Sequence, residues 1–159
     1  MRIIWRVTEP YADEIRQGLE AALTYIPREH LVRLTEIVAY DTDPKGERLG
    51  VYFRDHRGNR IELYLQPHLL RFHASPLPGE HSRAVVLHLA HTLFHEVGHH
   101  LTLTVNPRRK PSRKSATVSE KLETWAEQYA AKRLEKFAKS DFFGKCLLKM
   151  PHGDPPAVV

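Results

Sequence analysis

"HTLFHEVGHHLT", residues 91–102, sets four histidines and one glutamate into an otherwise apolar stretch. Its repeat is helical, and polar groups on a buried helix need partners. On a helix, positions i and i+4 share a face, so His95 and His99 can aim two ring nitrogens at one point. Glu96 projects from the same end, where it can reach a metal-bound water without being a ligand. A catalytic zinc takes three protein ligands and keeps one position open, so this helix needs a further ligand from elsewhere.

Upstream, the pattern extends through "SRAVVLHLA", which makes residues 82–103 one long, largely apolar helix. Such a helix belongs in a core and requires covering layers. A linker with Pro76, Pro78 and Gly79 precedes it, and the basic loop "NPRRKPSRKSA" follows it. Beyond the loop, "SEKLETWAEQYAAKRLEKFAKSDFF" reads as a second helix, with Thr117 and Glu120 in capping-box spacing at its start.

The half before the linker reads differently. "RIIWRV" near the start is β-branched and aromatic, a strand pattern. Thr8 is placed to cap a helix over "YADEIRQGLEAALTYI", which Pro27 stops. "HLVRLTEIVAYD", "LGVYFRD" and "RIELYLQP" are strand-like and separated by the turn signals "DTDPKGE" and "HRGN". Their short connections predict an antiparallel meander. The expected fold is α+β: an N-terminal antiparallel or mixed sheet with one helix, then a two-helix half.

With 159 residues the chain is expected to form a single domain over residues 1–150, followed by a loosely ordered, proline-rich tail over residues 151–159. Hydrophobic content of 42% and charged content of 27% are those of a soluble globular protein. The single cysteine, Cys146, excludes an internal disulfide and suits a reducing compartment. It reads as a small buried hydrophobe, with a blocking metal ligand as the alternative. "MRIIWRVTEPYADE" is too short in apolar run for a secretory signal, and no run approaches the roughly 20 residues of a membrane span. These features predict a cytoplasmic protein with no membrane partner. The net charge of +5 leaves nucleic acid or acidic partners open without implying them.

The second helix offers the missing ligand. Glu120, Glu123 and Glu127 recur at helical spacing on one broad face, so a carboxylate from that face can complete a His2Glu set. Glu127, one turn beyond Glu123, is placed to accept the other ring N–H of a ligand histidine and so to fix its tautomer.

"HEVGH" followed by "ETWAEQYAA" resembles the gluzincin metallopeptidases, and is most similar to small cytoplasmic proteins of the ImmA/IrrE type and to minigluzincins. The resemblance runs from His88 to Leu134, and the N-terminal half carries no matching motif. It implies a zincin-like fold, Zn2+ as cofactor, His95 and His99 as zinc ligands, Glu96 as general base and Glu123 as third ligand. Glu127 stands where the family usually has aspartate. The residues agree with that choice of glutamate: Glu120 falls in the first turn as a capping residue, and only Glu123 leaves a carboxylate four residues on. Gly98 lets a neighbouring element approach closely.

The reaction implied is hydrolysis of peptide bonds. Zinc acidifies its bound water and polarises the carbonyl, and Glu96 carries the proton to the leaving amine. Tyr129, His73 and Tyr64 are candidates for stabilising the oxyanion. "RIELYLQP" is expected to be the edge strand that takes an extended substrate, with Tyr64 and Glu62 on one face.

Other residues have plainer readings. His88 and His91 continue the histidine stripe and are expected to bond locally, with a second metal or proton relay as the alternative. His100, five residues after His95, falls off the ligand face. Arg108, Arg109, Lys110, Arg113 and Lys114 read as a solvated loop or as a docking site for nucleic acid or an acidic substrate, although the loop lacks aromatics for base stacking. The competing function is a zinc-containing regulatory or binding module that docks partners through this loop. A zinc hydrolase of a non-peptide substrate is a third reading.

Overall fold

β-Branched and alternating runs in the first 64 residues form four strands, and the runs of helical period form helices around them. The computed structural model describes residues 1–8, 12–55, 58–72, 78–105 and 116–140. β1 (Arg2–Arg6) leads into α1 (Ala12–Leu23), a 3-10 turn (Arg28–Leu31) and β2 (Leu34–Tyr40). β3 (Gly50–Asp55) and β4 (Gly58–Tyr64) follow, then α2 (Leu65–Phe72), α3 (Pro78–Val105) and α4 (Ala116–Ala138). The class is α+β, and the sheet is mixed, in the order β1-β2-β4-β3.

That order corrects the expected meander. β1 and β2 are parallel, β2 and β4 are parallel, and only β3 and β4 form an antiparallel hairpin. Parallel neighbours need a crossover, which α1 provides between β1 and β2. Between β2 and β3 the chain instead takes a braced loop across the end of the sheet. Inside it, the buried Asp43 carboxylate accepts the N–H groups of Lys45 and Arg48 and pairs with the Arg48 guanidinium at 2.5 Å. This loop carries the chain past one strand position, which β4 then fills. The burial agrees: Ile37, Val38 and Ala39 of β2 are buried in succession, as in a strand covered on both faces.

Consequently "RIELYLQP" is not an edge strand. β4 is central, and β3 is the edge beside the helices. Tyr64 and Glu62 do share a face, since the Tyr64 hydroxyl donates to Glu62 at 2.7 Å. The same segment ends as a strand at Tyr64 and turns into α2, a helix that strand propensity concealed. The Thr8 N–H and O–H both donate to Asp41, tying the end of β1 to that of β2, and the residues between Thr8 and Ala12, where a cap bond from Thr8 would fall, lie outside the described residues.

α3 packs against α1, α2, α4 and the β3–β4 hairpin, and this explains its weak amphipathicity. Val85, Val86, Leu89, Leu93, Phe94 and Val97 of α3 join Ile37, Ile61 and Leu63 of the sheet in the core. α4 comes close at Gly98, where an added Cβ would lie 2.8 Å from Ala126 Cα and 3.3 Å from its carbonyl oxygen. Among the described residues no helix is long and apolar enough to cross a membrane.

Candidate metal centre

The contact between α3 and α4 brings His95, His99 and Glu123 together. One ligating atom from each lies within 4.8 Å of the other two. The two Nε2 atoms are 3.0 Å apart, and they stand 3.3 and 3.4 Å from the Glu123 carboxylate oxygens. Ligands held tetrahedrally at roughly 2.0–2.2 Å from zinc are about 3.3–3.5 Å from one another. The two ring-to-carboxylate distances match this, the two rings stand somewhat closer, and two imidazoles with a carboxylate are donors that suit the ion. Gly98 makes the approach possible, because a larger residue on α3 would push Ala126, and with it Glu123, away.

Proton counting points the same way. His95 Nδ1–H donates to Glu127 Oε2 at 3.3 Å, which leaves a lone pair on Nε2 of the neutral ring. That lone pair faces Glu123 Oε2, and a proton on His99 Nε2 can serve only one of its two neighbours. A cation between the ring and the carboxylate would satisfy both acceptors at once. Glu127 also accepts from His91, whose Nε2 lies 3.0 Å from Oε1.

Glu96 is not in this triad. It is 8% exposed and lies at the wall of a cleft of about 260 Å3 between β3 and α3, lined also by Gly50, Val51, Tyr52, His99 and Leu103. The Tyr52 backbone N–H donates to its carboxylate. Burial pushes its pKa up to about 7, against the opposing pull of His95 and Tyr52. A carboxyl group so placed can give and take a proton near neutral pH. Burial also lowers the pKa of His99, which favours the neutral, ligating ring.

The remaining residues singled out in the sequence lie elsewhere or are engaged. Glu120 is outside the triad, and its main-chain carbonyl accepts the Thr124 hydroxyl at 2.8 Å. The Tyr129 hydroxyl is paired with His30 Nδ1 at 2.8 Å, and that of Tyr64 is taken by Glu62, so neither is turned to the cleft. His100 bonds the Val32 carbonyl through Nε2 and the Tyr52 hydroxyl through Nδ1, away from the triad. His88 pairs with His68 on α2. His73, the side chain of Thr117, Arg108, Arg109, Lys110, Arg113, Lys114, Cys146 and the tail 151–159 lie outside the described residues.

Sequence reasoning missed Tyr52 and the role of β3 as cleft wall. Their only signal was the alternation in "LGVYFRD", which marks a strand but not its place in the sheet. The His91–Glu127 contact was more accessible, since His91 stands one turn before His95. No family model matches this chain, and neither does any curated protein or solved structure.

Proposed function

We propose that this chain is a zinc-dependent metallopeptidase of zincin-like, gluzincin type. The convergence of one ligating atom each from His95, His99 and Glu123 within 4.8 Å, with the Glu96 carboxyl beside it in the cleft wall, carries this reading. His95, His99 and Glu123 hold the metal, and Glu127 orients His95. Zinc bound there would acidify a water and polarise a carbonyl. Glu96 takes a proton from the attacking water and returns it to the leaving amine, a contribution of roughly 10²–10⁴ in rate. A structural site has no use for such a base.

The substrate is a peptide or protein segment. β3 is the edge strand of the sheet beside the metal centre, so an extended peptide adds along it by main-chain pairing, and the apolar wall of Val51 and Leu103 receives a side chain. The single cysteine agrees with a cytoplasmic setting.

Metal analysis combined with digestion of a peptide library, wild type against Glu96→Gln, tests this reading. About one zinc per chain in both proteins and hydrolysis by the wild type alone is the expected result. A wild type without zinc, or a Glu96→Gln variant that hydrolyses as fast as wild type, overturns it.

A further inference from the structure

Glu127 is an unpromising residue to hold a histidine still. Its side chain is 57% exposed and turns about three bonds, and an exposed ion pair on a long chain contributes little because ordering the chain opposes it. Yet the carboxylate meets two rings. Oε2 accepts from His95 Nδ1 at 3.3 Å and Oε1 from His91 Nε2 at 3.0 Å. His91 and His95 are one turn apart on α3, with ring centroids 6.5 Å apart and planes inclined by 30°. Both rings therefore present N–H groups to the same carboxylate from the same helix face.

We infer that His91 is a positioning residue for the metal centre: it fixes the Glu127 carboxylate so that the other oxygen holds His95 in the tautomer with its lone pair on Nε2. This rests on the zinc reading above. With His91 donating from Nε2, Glu127 is gripped at both oxygens and cannot turn to solvent without losing two bonds. Without His91, one bond alone holds a mobile carboxylate, and His95 loses part of its fixed orientation. Partners that orient a ligand histidine typically change metal affinity by about 10–100-fold, and a residue acting through such a partner changes it less.

The test is competition for zinc against a chromophoric chelator at one fixed pH, using wild type, His91→Ala, His91→Gln, Glu127→Ala and the double variant His91→Ala/Glu127→Ala. His91→Ala is expected to weaken zinc binding by roughly three- to tenfold, and Glu127→Ala by roughly 10–100-fold. His91→Gln, whose amide N–H reaches where the ring N–H stood, restores most of the loss. On the Glu127→Ala background His91→Ala adds nothing, because the two act through one contact. A merely structural histidine would cost the same on either background and would not be rescued by glutamine. Equal affinity of His91→Ala and wild type, or an undiminished loss on the Glu127→Ala background, overturns the role of His91 while leaving the zinc centre standing. A wild type that takes up no zinc overturns both.

Discussion

Among the described residues, two pairs of histidines have ring nitrogens within hydrogen-bond distance of one another, and they are in opposite situations. His68 and His88 have ring centroids 4.8 Å apart, and His95 and His99 have them 4.7 Å apart. In the first pair every nitrogen has a partner that a neutral ring can serve. Arg71 donates to His88 Nε2, His88 Nδ1–H donates to His68 Nδ1, and His68 Nε2–H donates to the Leu49 carbonyl. The chain of donors closes without a cation. In the second pair a lone pair and a carboxylate face one another, and the donors run out. Proximity of histidines thus says little about metal binding; the balance of protons against acceptors around them says much more.

The largest effect that can break this contrast is loss of a ligand. His95→Ala, His99→Ala and Glu123→Ala are each expected to weaken zinc binding beyond the roughly 10–100-fold cost of losing an outer hydrogen-bond partner. His68→Asn and His88→Asn should leave zinc uptake unchanged. Chelator competition on all five variants decides it, and zinc loss in His68→Asn would erase the distinction between the pairs.

Gly98→Ala comes next, since it strikes the contact that creates the second pair's surroundings. The new methyl would press on Ala126 backbone atoms, which cannot swing aside. Overpacking of this kind costs about 1–3 kcal/mol, opposed by up to about 1 kcal/mol of better helix propensity. Denaturant unfolding of the chelated protein should show the net loss, and zinc affinity should fall with it as Glu123 moves off. A variant as stable and as tight as wild type would mean that α4 does not sit where it is described.

pH separates the pairs from the other side. Burial, and next the charge of His88, holds the His68 pKa down at about 3 against an ordinary 6.5. The unfolded chain therefore binds the extra proton first. The stability due to a neutral His68 is fully present above pH 6.5 and declines as pH falls towards 3, at up to about 1.4 kcal/mol per pH unit. Between pH 7 and pH 5 the chelated wild type should lose about 2 kcal/mol on this account. His68→Asn, which keeps an acceptor for His88 but does not titrate, should lose that much less over the same interval. Identical slopes in the two proteins would place the acid sensitivity elsewhere.

The smallest effect is expected at Glu120. It lies on the same helix face as Glu123 but outside the triad, so Glu120→Ala should leave zinc affinity unchanged and stability within about 0.5 kcal/mol. Should it prove more damaging than Glu123→Ala, the choice of third ligand is wrong.

What was readable in advance was local. The spacing of His95 and His99, the face shared by Glu123 and Glu127, and the small residue at Gly98 are properties of single helices. A 3.6-residue period places such groups whatever surrounds them. The sheet was less readable, because strand pairing is a contact between distant residues. "RIELYLQP" has the composition of an edge strand, a central strand or a strand running into a helix, and the meander was favoured only because its connections are short. The run Ile37-Val38-Ala39 was the available hint that β2 is covered on both faces. Thr8 shows the same limit on a small scale: its hydroxyl donates to the Asp41 carboxylate, a partner 33 residues away that no local pattern announces.

By itself, then, the sequence determined which side chains travel together: two imidazoles one helical turn apart with a carboxylate beside the first on α3, and three carboxylates on one face of α4. It could not determine which of these meet. The tertiary structure decided that Glu123 rather than Glu120 faces the two Nε2 atoms, that Glu127 is shared between His91 and His95, and that β3 forms the cleft wall. The physical reason is one of range. Helical periodicity follows from backbone hydrogen bonds four residues apart, whereas the meeting of α3 with α4 and of β2 with β4 follows from filling a core with residues far apart in the chain. Gly98 joins the two scales, a local gap in a helix surface whose consequence appears only when Ala126 is set against it.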